Sequence, residues 1–163
     1  MLEHVAGSIL ALALGGVGWI TFHLFGAPYT DLRQLRRESY EALIFTANVG
    51  SWLLDHDEDG NLYRPDGPEI LRVHSEDLRR LSVKVTAADE MATGAVRYFV
   101  RTCHGWDPEL AARGLMALST SLQEPFGVRA PERFRVEKGF RLPHEMNEED
   151  VRAEMKEHRD PDR

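Results

Sequence analysis

The stretch SEDLRRLSVKVTAADEMATGAVRYFV, residues 75–100, is the longest amphipathic segment of the sequence and decides the fold class. Its apolar residues recur every three or four positions, which is the period of an α-helix. Ser75 is a suitable N-cap residue, so we predict a helix from Ser75 to about Cys103. The apolar stripe of this helix consists of Leu78, Leu81, Val85, Ala88, Ala92, Ala95, Phe99 and Val100.

A second amphipathic segment precedes this helix. Pro28 has no backbone N–H and disfavours helical geometry at the residue before it, so a helix is predicted to restart near Asp31. The apolar stripe continues to about Leu54, which is the predicted end of the helix. On the polar face, Arg37 and Glu41 have the spacing of an i,i+4 ion pair.

A third amphipathic segment follows the string HGWDPEL, residues 104–110. The glycine ends the preceding helix, and Asp107 with Pro108 gives an N-cap and a first helical residue. We predict that this helix reaches about Gln123. Because each apolar stripe must be buried against another helix, the sequence predicts an all-α fold with a small antiparallel helical bundle.

The N-terminal run VAGSILALALGGVGWITFHLFG, residues 5–26, contains no Asp, Glu, Lys or Arg. As a helix rising about 1.5 Å per residue it measures roughly 33 Å, enough to cross a hydrocarbon core of about 30 Å. A cleaved signal peptide would have Lys or Arg before its apolar run, whereas Met-Leu-Glu-His stands here. We therefore predict a retained N-terminal transmembrane helix.

The charges that flank this run predict its orientation. Glu3 and His4 precede it, whereas Arg33, Arg36 and Arg37 follow it within reach of the headgroups. Because Lys and Arg accumulate on the cytoplasmic side, we expect a single-pass protein of the inner (cell) membrane. Its N-terminus is predicted to lie outside and its C-terminal domain in the cytoplasm.

The residues after Pro125 follow a different pattern. RAPERFRVEKGFRLP, residues 129–143, alternates apolar and polar positions, which is the period of an extended strand. We predict an extended segment or hairpin over 126–143 that lies against lipid or the bundle, followed by a short polar C-terminal helix. The predicted regions are a transmembrane anchor at 1–27, a cytoplasmic helical bundle at 28–125, and the extended basic and aromatic segment with its polar tail at 126–163.

The composition and the small residues of the predicted anchor limit which classes of partner the chain can bind. A net charge of −7 over 163 residues argues against binding to nucleic acid. Gly7, Ala11 and Gly15 recur every four residues and form a small-residue face on the anchor, where a second backbone can approach closely. We expect contacts with membrane lipid and with either a protein partner or further copies of this chain.

The connector LLDHDEDGNLYRPDGPEI covers residues 53–70. Counted from Asp55, it resembles the first half of an EF-hand loop, with Gly60 at the sixth position of that loop. In the second half, Asp66 replaces the usual bidentate Glu, and Gly67-Pro68 is expected to delay the exiting helix. The candidate ligands for a calcium or magnesium ion are Asp55, Asp57, Asp59, Asn61 and Asp66. The alternative is an acidic connector whose Asp and Gly residues serve turn geometry.

Catalytic motifs are not recognisable in this sequence. Ser119 and Ser121 lie in an apolar helical segment without a strand-turn-helix elbow, and GGVG lies inside the apolar run. The histidines without metalloprotease spacing are His56, His74, His104, His144 and His158. We therefore predict a protein that is not an enzyme and has no catalytic residue and no organic cofactor.

Two short stretches, LRRESYEALIFTANVG (residues 35–50) and ARGLMALSTSL (residues 112–122), follow the N-terminal run in that order. This arrangement resembles small bacterial single-span membrane-anchored proteins of unknown function. The resemblance implies an anchor and brings no activity and no site residues. The predicted function is a membrane-anchored protein-interaction or assembly module, with divalent-ion binding through residues 55–66 as the alternative.

Overall fold

The structure, a computed structural model, describes residues 2–48, 55–56, 62–63, 67–122, 126–143, 149–150 and 153. Helix α1 covers Leu2–Thr21, a π-helical turn covers Phe22–Gly26, and α2 covers Ala27–Asn48. Two short strands follow, β1 at Asp55–His56 and β2 at Leu62–Tyr63. The remaining helices are α3 at Gly67–Met91, α4 at Gly94–Cys103, α5 at Pro108–Ser121 and α6 at Phe126–Phe140.

Helix α5 lies at the centre of the bundle, where it packs against α3 on one side and α6 on the other. Helix α2 packs against α3, with smaller contacts to α6 and α4. Cross-helix contacts such as Ser75 with Ser119 and Ser82 with Ala112 show that α3 and α5 are antiparallel. The predicted antiparallel helical bundle is therefore confirmed.

Two buried clusters hold the helices together. The main core is aliphatic and is shared by α2, α3, α5 and α6, and it consists of Leu35, Leu43, Leu71, Leu78, Leu81, Val85, Ala111, Ala112, Leu115, Leu118, Leu122, Val136, Phe140 and Leu142. The second cluster joins α2 to α4, and it consists of Leu32, Ala92, Val96, Val100 and Trp106. Side chains of Phe25 and Tyr29 pack against the second cluster, so the end of the π-helical turn is tied to the bundle.

The helix break predicted at Pro28 is wrong, because α2 begins at Ala27 and continues directly from the π-helical turn. Pro28 has no N–H to donate to the carbonyl of Leu24, one turn earlier. The hydroxyl of Thr93 donates to that carbonyl oxygen at 3.0 Å. The side chain of the α4 N-cap residue thus replaces the bond that proline removes, and the helix continues.

The predicted start of the third helix at Ser75 is also wrong, because α3 begins at Gly67. The hydroxyl of Ser75 donates to the carbonyl of Ser119 in α5 at 2.7 Å instead of capping its own helix. The helix also ends earlier than predicted, at Met91. Thr93 is the N-cap of α4, in extended conformation, and its hydroxyl accepts a hydrogen bond from the N–H of Val96.

The extended segment predicted over 126–143 is wrong, because residues 126–140 form α6 and pack against α5. Val136 and Phe140, four residues apart, are both fully buried, so the helical period decides which side chains enter the core. Pro131 lies inside the helix and obscured that period in the sequence. The described part of this segment therefore belongs to the bundle.

Helix α5 has the start that its sequence predicts. Asp107 is the N-cap and accepts a hydrogen bond from the N–H of Leu110 at 3.1 Å, and Pro108 follows it. Gly105, at φ +62°, makes the turn between α4 and α5. Of the predicted C-terminal polar helix, Glu149, Asp150 and Ala153 are helical, and its other residues lie outside the described part of the chain.

Candidate functional site

The apolar end of α1 and the π-helical turn is the most unusual surface of the described chain. Every residue from Leu12 to Leu24 is exposed. The large apolar side chains, with exposed fractions of 50% or more, are Leu12, Leu14, Val17, Trp19, Ile20, Phe22 and Leu24. Contiguous exposed apolar surface of this kind marks contacts with a membrane or with another protein.

The residues of the predicted small-residue face belong to α1. Gly7, Ala11 and Gly15 are all in the helix, and a Cβ atom added at Gly15 would have no neighbour within 4 Å. A Cβ atom added at Gly16 or at Gly18 would likewise have no neighbour within 4 Å. Within the part of the chain that the structure describes, no helix meets the length and apolarity needed to cross a bilayer.

Aromatic side chains connect this exposed helix to the bundle. The ring of Phe25 lies 5.3 Å from that of Phe99 in α4, centroid to centroid, in an edge-to-face arrangement. Tyr29 stacks against His104 and Trp106, and its hydroxyl lies 3.2 Å from Nε2 of His104. These contacts fix the position of the π-helical turn relative to α4.

Arg36, one of the three arginines expected near the headgroups, is engaged within the protein. Its Nε donates to the carbonyl of Phe140 at 2.8 Å, and its Nη2 donates to the carbonyl of Arg141 at 3.2 Å. The guanidinium carbon also lies 5.4 Å from the centroid of the Trp106 ring. Arg36 therefore anchors the end of α6 to α2, while Arg33 and Arg37 are exposed.

A shallow groove of about 460 Å³ lies between α2 and α3. Ala42, Phe45 and Leu78 supply apolar lining, and the ring of Phe45 lies 4.8 Å from that of His74. Charged residues of both signs line the same groove, and Lys84 lies 3.8 Å from Glu38 across it.

The predicted metal ligands fall largely outside the described residues. Asp55 is in β1, where its backbone pairs antiparallel with Tyr63, and Asp57, Asp59, Asn61 and Asp66 are outside the described ranges. The expected delay of the exiting helix is wrong, since α3 starts at Gly67, immediately after the last position of the loop. Among the described residues, no three His, Cys, Asp or Glu side chains are grouped so that they could hold a metal ion.

Other polar side chains of the described chain either have contacts within the fold or lie at the surface. The hydroxyl of the buried Ser119 donates to the carbonyl of Met116 at 2.6 Å. Cys103 is a free, exposed thiol at the end of α4. The hydrogen bond from Arg72 and the charge of its guanidinium lower the pKa of Glu69 on the surface of α3.

Sequence reasoning missed the junction formed by Tyr29, Thr93 and Trp106. Thr93-Gly94 is a helix-start signal within the amphipathic stretch, and it could have located α4. Tyr29 and Trp106 carried no signal of their contact, because 77 positions separate them and only the fold brings them together. Comparison of this chain with protein families, with curated proteins and with solved structures gives no match.

Proposed function

We propose that the chain is a single-pass membrane protein whose helical bundle lies in the cytoplasm and serves as a protein-interaction or assembly module. The observation that carries the proposal is the exposed apolar surface from Leu12 to Leu24. Apolar surface contributes about 25 cal/mol per Å² when it leaves water, so this surface favours burial in lipid or against a partner. The absence of charge from residue 5 to residue 26 favours lipid.

Charge supports the proposed orientation. Arg33 and Arg37 are exposed just beyond the apolar run, whereas Glu3 and His4 stand before it. Two basic residues at this end favour its retention in the cytoplasm. The N-terminus then lies on the outer side of the inner membrane.

Extraction of membranes at alkaline pH tests the anchor. We expect the chain to stay with the membrane fraction and Leu14→Arg to weaken this, since an arginine in mid-helix costs about 2.5–3.5 kcal/mol on insertion scales. Val83→Arg, at an exposed position on α3, is the matched control and should behave as the wild type. Release of the wild-type chain into the soluble fraction would contradict the proposal.

Cys103, exposed and the only cysteine, reports the orientation without any added label site. We expect a membrane-impermeant maleimide to label it in inverted membrane vesicles and to leave it unlabelled in intact cells. Labelling in intact cells would place the bundle outside. A Cys103→Ser chain controls for background labelling.

Crosslinking in detergent tests assembly through Gly7, Ala11 and Gly15. We expect a crosslinked dimer that Gly15→Leu reduces, because a large side chain prevents close approach of two backbones. Gly16→Leu, on a different side of the helix, should leave the dimer unchanged. A monomer in detergent, with no protein co-purified from native membranes, would count against an assembly or interaction role.

A second candidate function is divalent-ion binding by residues 55–66, favoured by the position of this loop between α2 and α3. Titration calorimetry of the detergent-purified chain with calcium and then magnesium tests it. We expect any heat of binding to be lost in Asp57→Ala and kept in Asp77→Ala, which removes an exposed carboxylate of α3 outside the loop. No heat at millimolar ion would reject this function.

A further inference from the structure

We infer that the corner between α3 and α4, from Met91 to Thr102, rests on the phospholipid surface of the cytoplasmic leaflet. This inference rests on the proposed function, since it requires α1 to be in the membrane. It adds a second membrane contact that is remote in sequence from the anchor. The occupant of this surface is the headgroup region of a bilayer.

The start of α4 is held close to the end of the apolar run. The apolar run ends at Gly26, and the hydroxyl of Thr93 donates to the carbonyl of Leu24 at 3.0 Å. Phe25 and Phe99 are in ring contact at 5.3 Å. When the apolar run crosses the bilayer, these two contacts hold the start of α4 at the level where the run leaves it.

The composition of the exposed face of α4 suits a bilayer interface. The exposed residues of α4 include no carboxylate, and Ala95, Tyr98 and Thr102 recur on one face at helical spacing. Tyr98 is 70% exposed, and Met91, the first residue of the corner, is 83% exposed. Tyrosine is enriched at membrane interfaces, where its ring meets the apolar boundary and its hydroxyl meets water.

Contacts between α3 and α4 hold the exposed side chains of the corner in place. The guanidinium of Arg97 donates to the carbonyls of Asp89 and Glu90 at the end of α3, at 2.7 and 2.5 Å. Val96 and Val100 bury the opposite face of α4 in the second cluster. The exposure of Tyr98 is therefore fixed by the fold, since α4 cannot turn this side chain inward without breaking those contacts. Met91 follows directly after the two carbonyls that Arg97 holds, so the end of α3 is fixed as well.

The exposed surface of α3, unlike that of α4, carries charges of both signs. Its exposed positions include Asp77, Arg79, Arg80 and Lys84, as expected for a helix in water. Val73 is also exposed, but it lies eighteen residues before Met91, which is about 27 Å along the helix axis. A probe at Val73 therefore samples the far end of the same helix.

Fluorescence quenching by spin-labelled lipid tests the inference in the full chain. Single cysteines are introduced into a Cys103→Ser background as Leu14→Cys, Met91→Cys and Val73→Cys, and each is labelled with an environment-sensitive dye. All three positions are exposed, so the substitutions leave the core intact. The proteins are reconstituted in phosphatidylcholine and phosphatidylglycerol vesicles, with and without lipid that carries a nitroxide near the headgroup.

We expect the nitroxide lipid to reduce the fluorescence at position 91 by about half, as for side chains roughly 5–10 Å into the headgroup boundary. Emission at position 91 should also shift to shorter wavelength, and position 73 should show neither change. Position 14 reports the anchor separately, with a shift to shorter wavelength and quenching by a nitroxide placed deeper in the acyl chain.

The three labelled positions distinguish a failure of this inference from a failure of the proposed anchor. An anchored position 14 with position 91 behaving like position 73 would overturn the inference and leave the proposed anchor in place. A position 14 that stays in water would overturn the anchor and the inference together. A shifted but unquenched position 91 would mean that a protein, not lipid, covers the corner, which also overturns the inference.

Discussion

Glycines in the α5–α6 pair and glycines in α1 have opposite surroundings. A Cβ atom added at Gly139 of α6 would lie 2.6 Å from the backbone nitrogen of Ala111 in α5, and one at Gly114 would lie 2.9 Å from the carbonyl oxygen of Glu132. At Gly15 and Gly16 of α1 the added atom would meet nothing within 4 Å. Glycine spacing in a sequence therefore does not tell whether a helix has a partner within its own chain.

Among the variants that test this difference, Gly139→Ala is expected to have the largest effect on the stability of the fold. Backbone atoms of α5 close to the added methyl group cannot move aside as a side chain can, so we expect a loss of about 3 kcal/mol of unfolding free energy. Urea denaturation followed by circular dichroism measures it. Gly16→Ala is the control and should not destabilise the protein, since alanine favours a helix by about 1 kcal/mol over glycine. Equal stabilities for the two variants would mean that α5 and α6 are farther apart than described.

Arg36→Ala is expected to have the next largest effect, because it frees the end of α6 from α2. Loss of two hydrogen bonds from a charged donor to the carbonyls of Phe140 and Arg141 should cost about 2 kcal/mol of unfolding free energy. Arg37→Ala removes only an exposed ion pair with Glu41, 2.9 Å long, and should cost less than about 0.5 kcal/mol. Thermal denaturation of both variants compares them. A loss in Arg37→Ala as large as in Arg36→Ala would contradict the anchoring role of Arg36.

Thr93→Val tests the link between the exposed helix and the bundle. It removes the N-cap of α4 and the hydrogen bond to the carbonyl of Leu24, and we expect a cost of about 1 kcal/mol. Thr93→Ser keeps the hydroxyl and should restore most of the stability. Amide hydrogen exchange is expected to rise around the π-helical turn and the start of α4 in the valine variant alone. Exchange that rises equally in both variants would exclude the hydroxyl as the cause.

The smallest expected effect on stability comes from Glu69 and Arg72. Both are exposed in the first turns of α3, far from the corner with α4. Because Arg72 lowers the pKa of Glu69 below its ordinary value of 4.5, the pair stabilises the fold above the unfolded-state pKa. That contribution is lost as the pH falls through the lower folded-state pKa. Carboxyl chemical shifts measured against pH should show Glu69 titrating at a higher pH in Arg72→Gln. An unchanged midpoint would show that the ion pair does not form in solution.

Local signals predicted the elements whose contacts are local. Asp107-Pro108 fixed the start of α5, and the spacing of Arg37 and Glu41 predicted an ion pair that the structure contains. Both depend on residues within a turn or two of each other. Prediction of this kind succeeds because backbone geometry alone brings those groups together.

The errors occurred where another helix changed the local preference. Pro28 should interrupt α2, but the hydroxyl of Thr93 bonds to the carbonyl that proline leaves without a donor. Ser75 should cap a helix, but its hydroxyl bonds to α5. The alternation in residues 129–143 suited a strand equally well until packing against α5 selected the helical period. None of these contacts can be derived from residues near the error.

The bond from Arg36 to Phe140 joins residues 104 positions apart, so the bundle is completed only after the intervening chain has been made. A ribosome adding roughly 5–20 residues per second needs about 5–20 seconds to make that intervening chain. During this interval Leu35 and Leu43 of α2 lack the main-core contacts that α6 supplies. Until α6 has packed, the part of the α2 stripe that α6 covers stays accessible to chaperones and proteases.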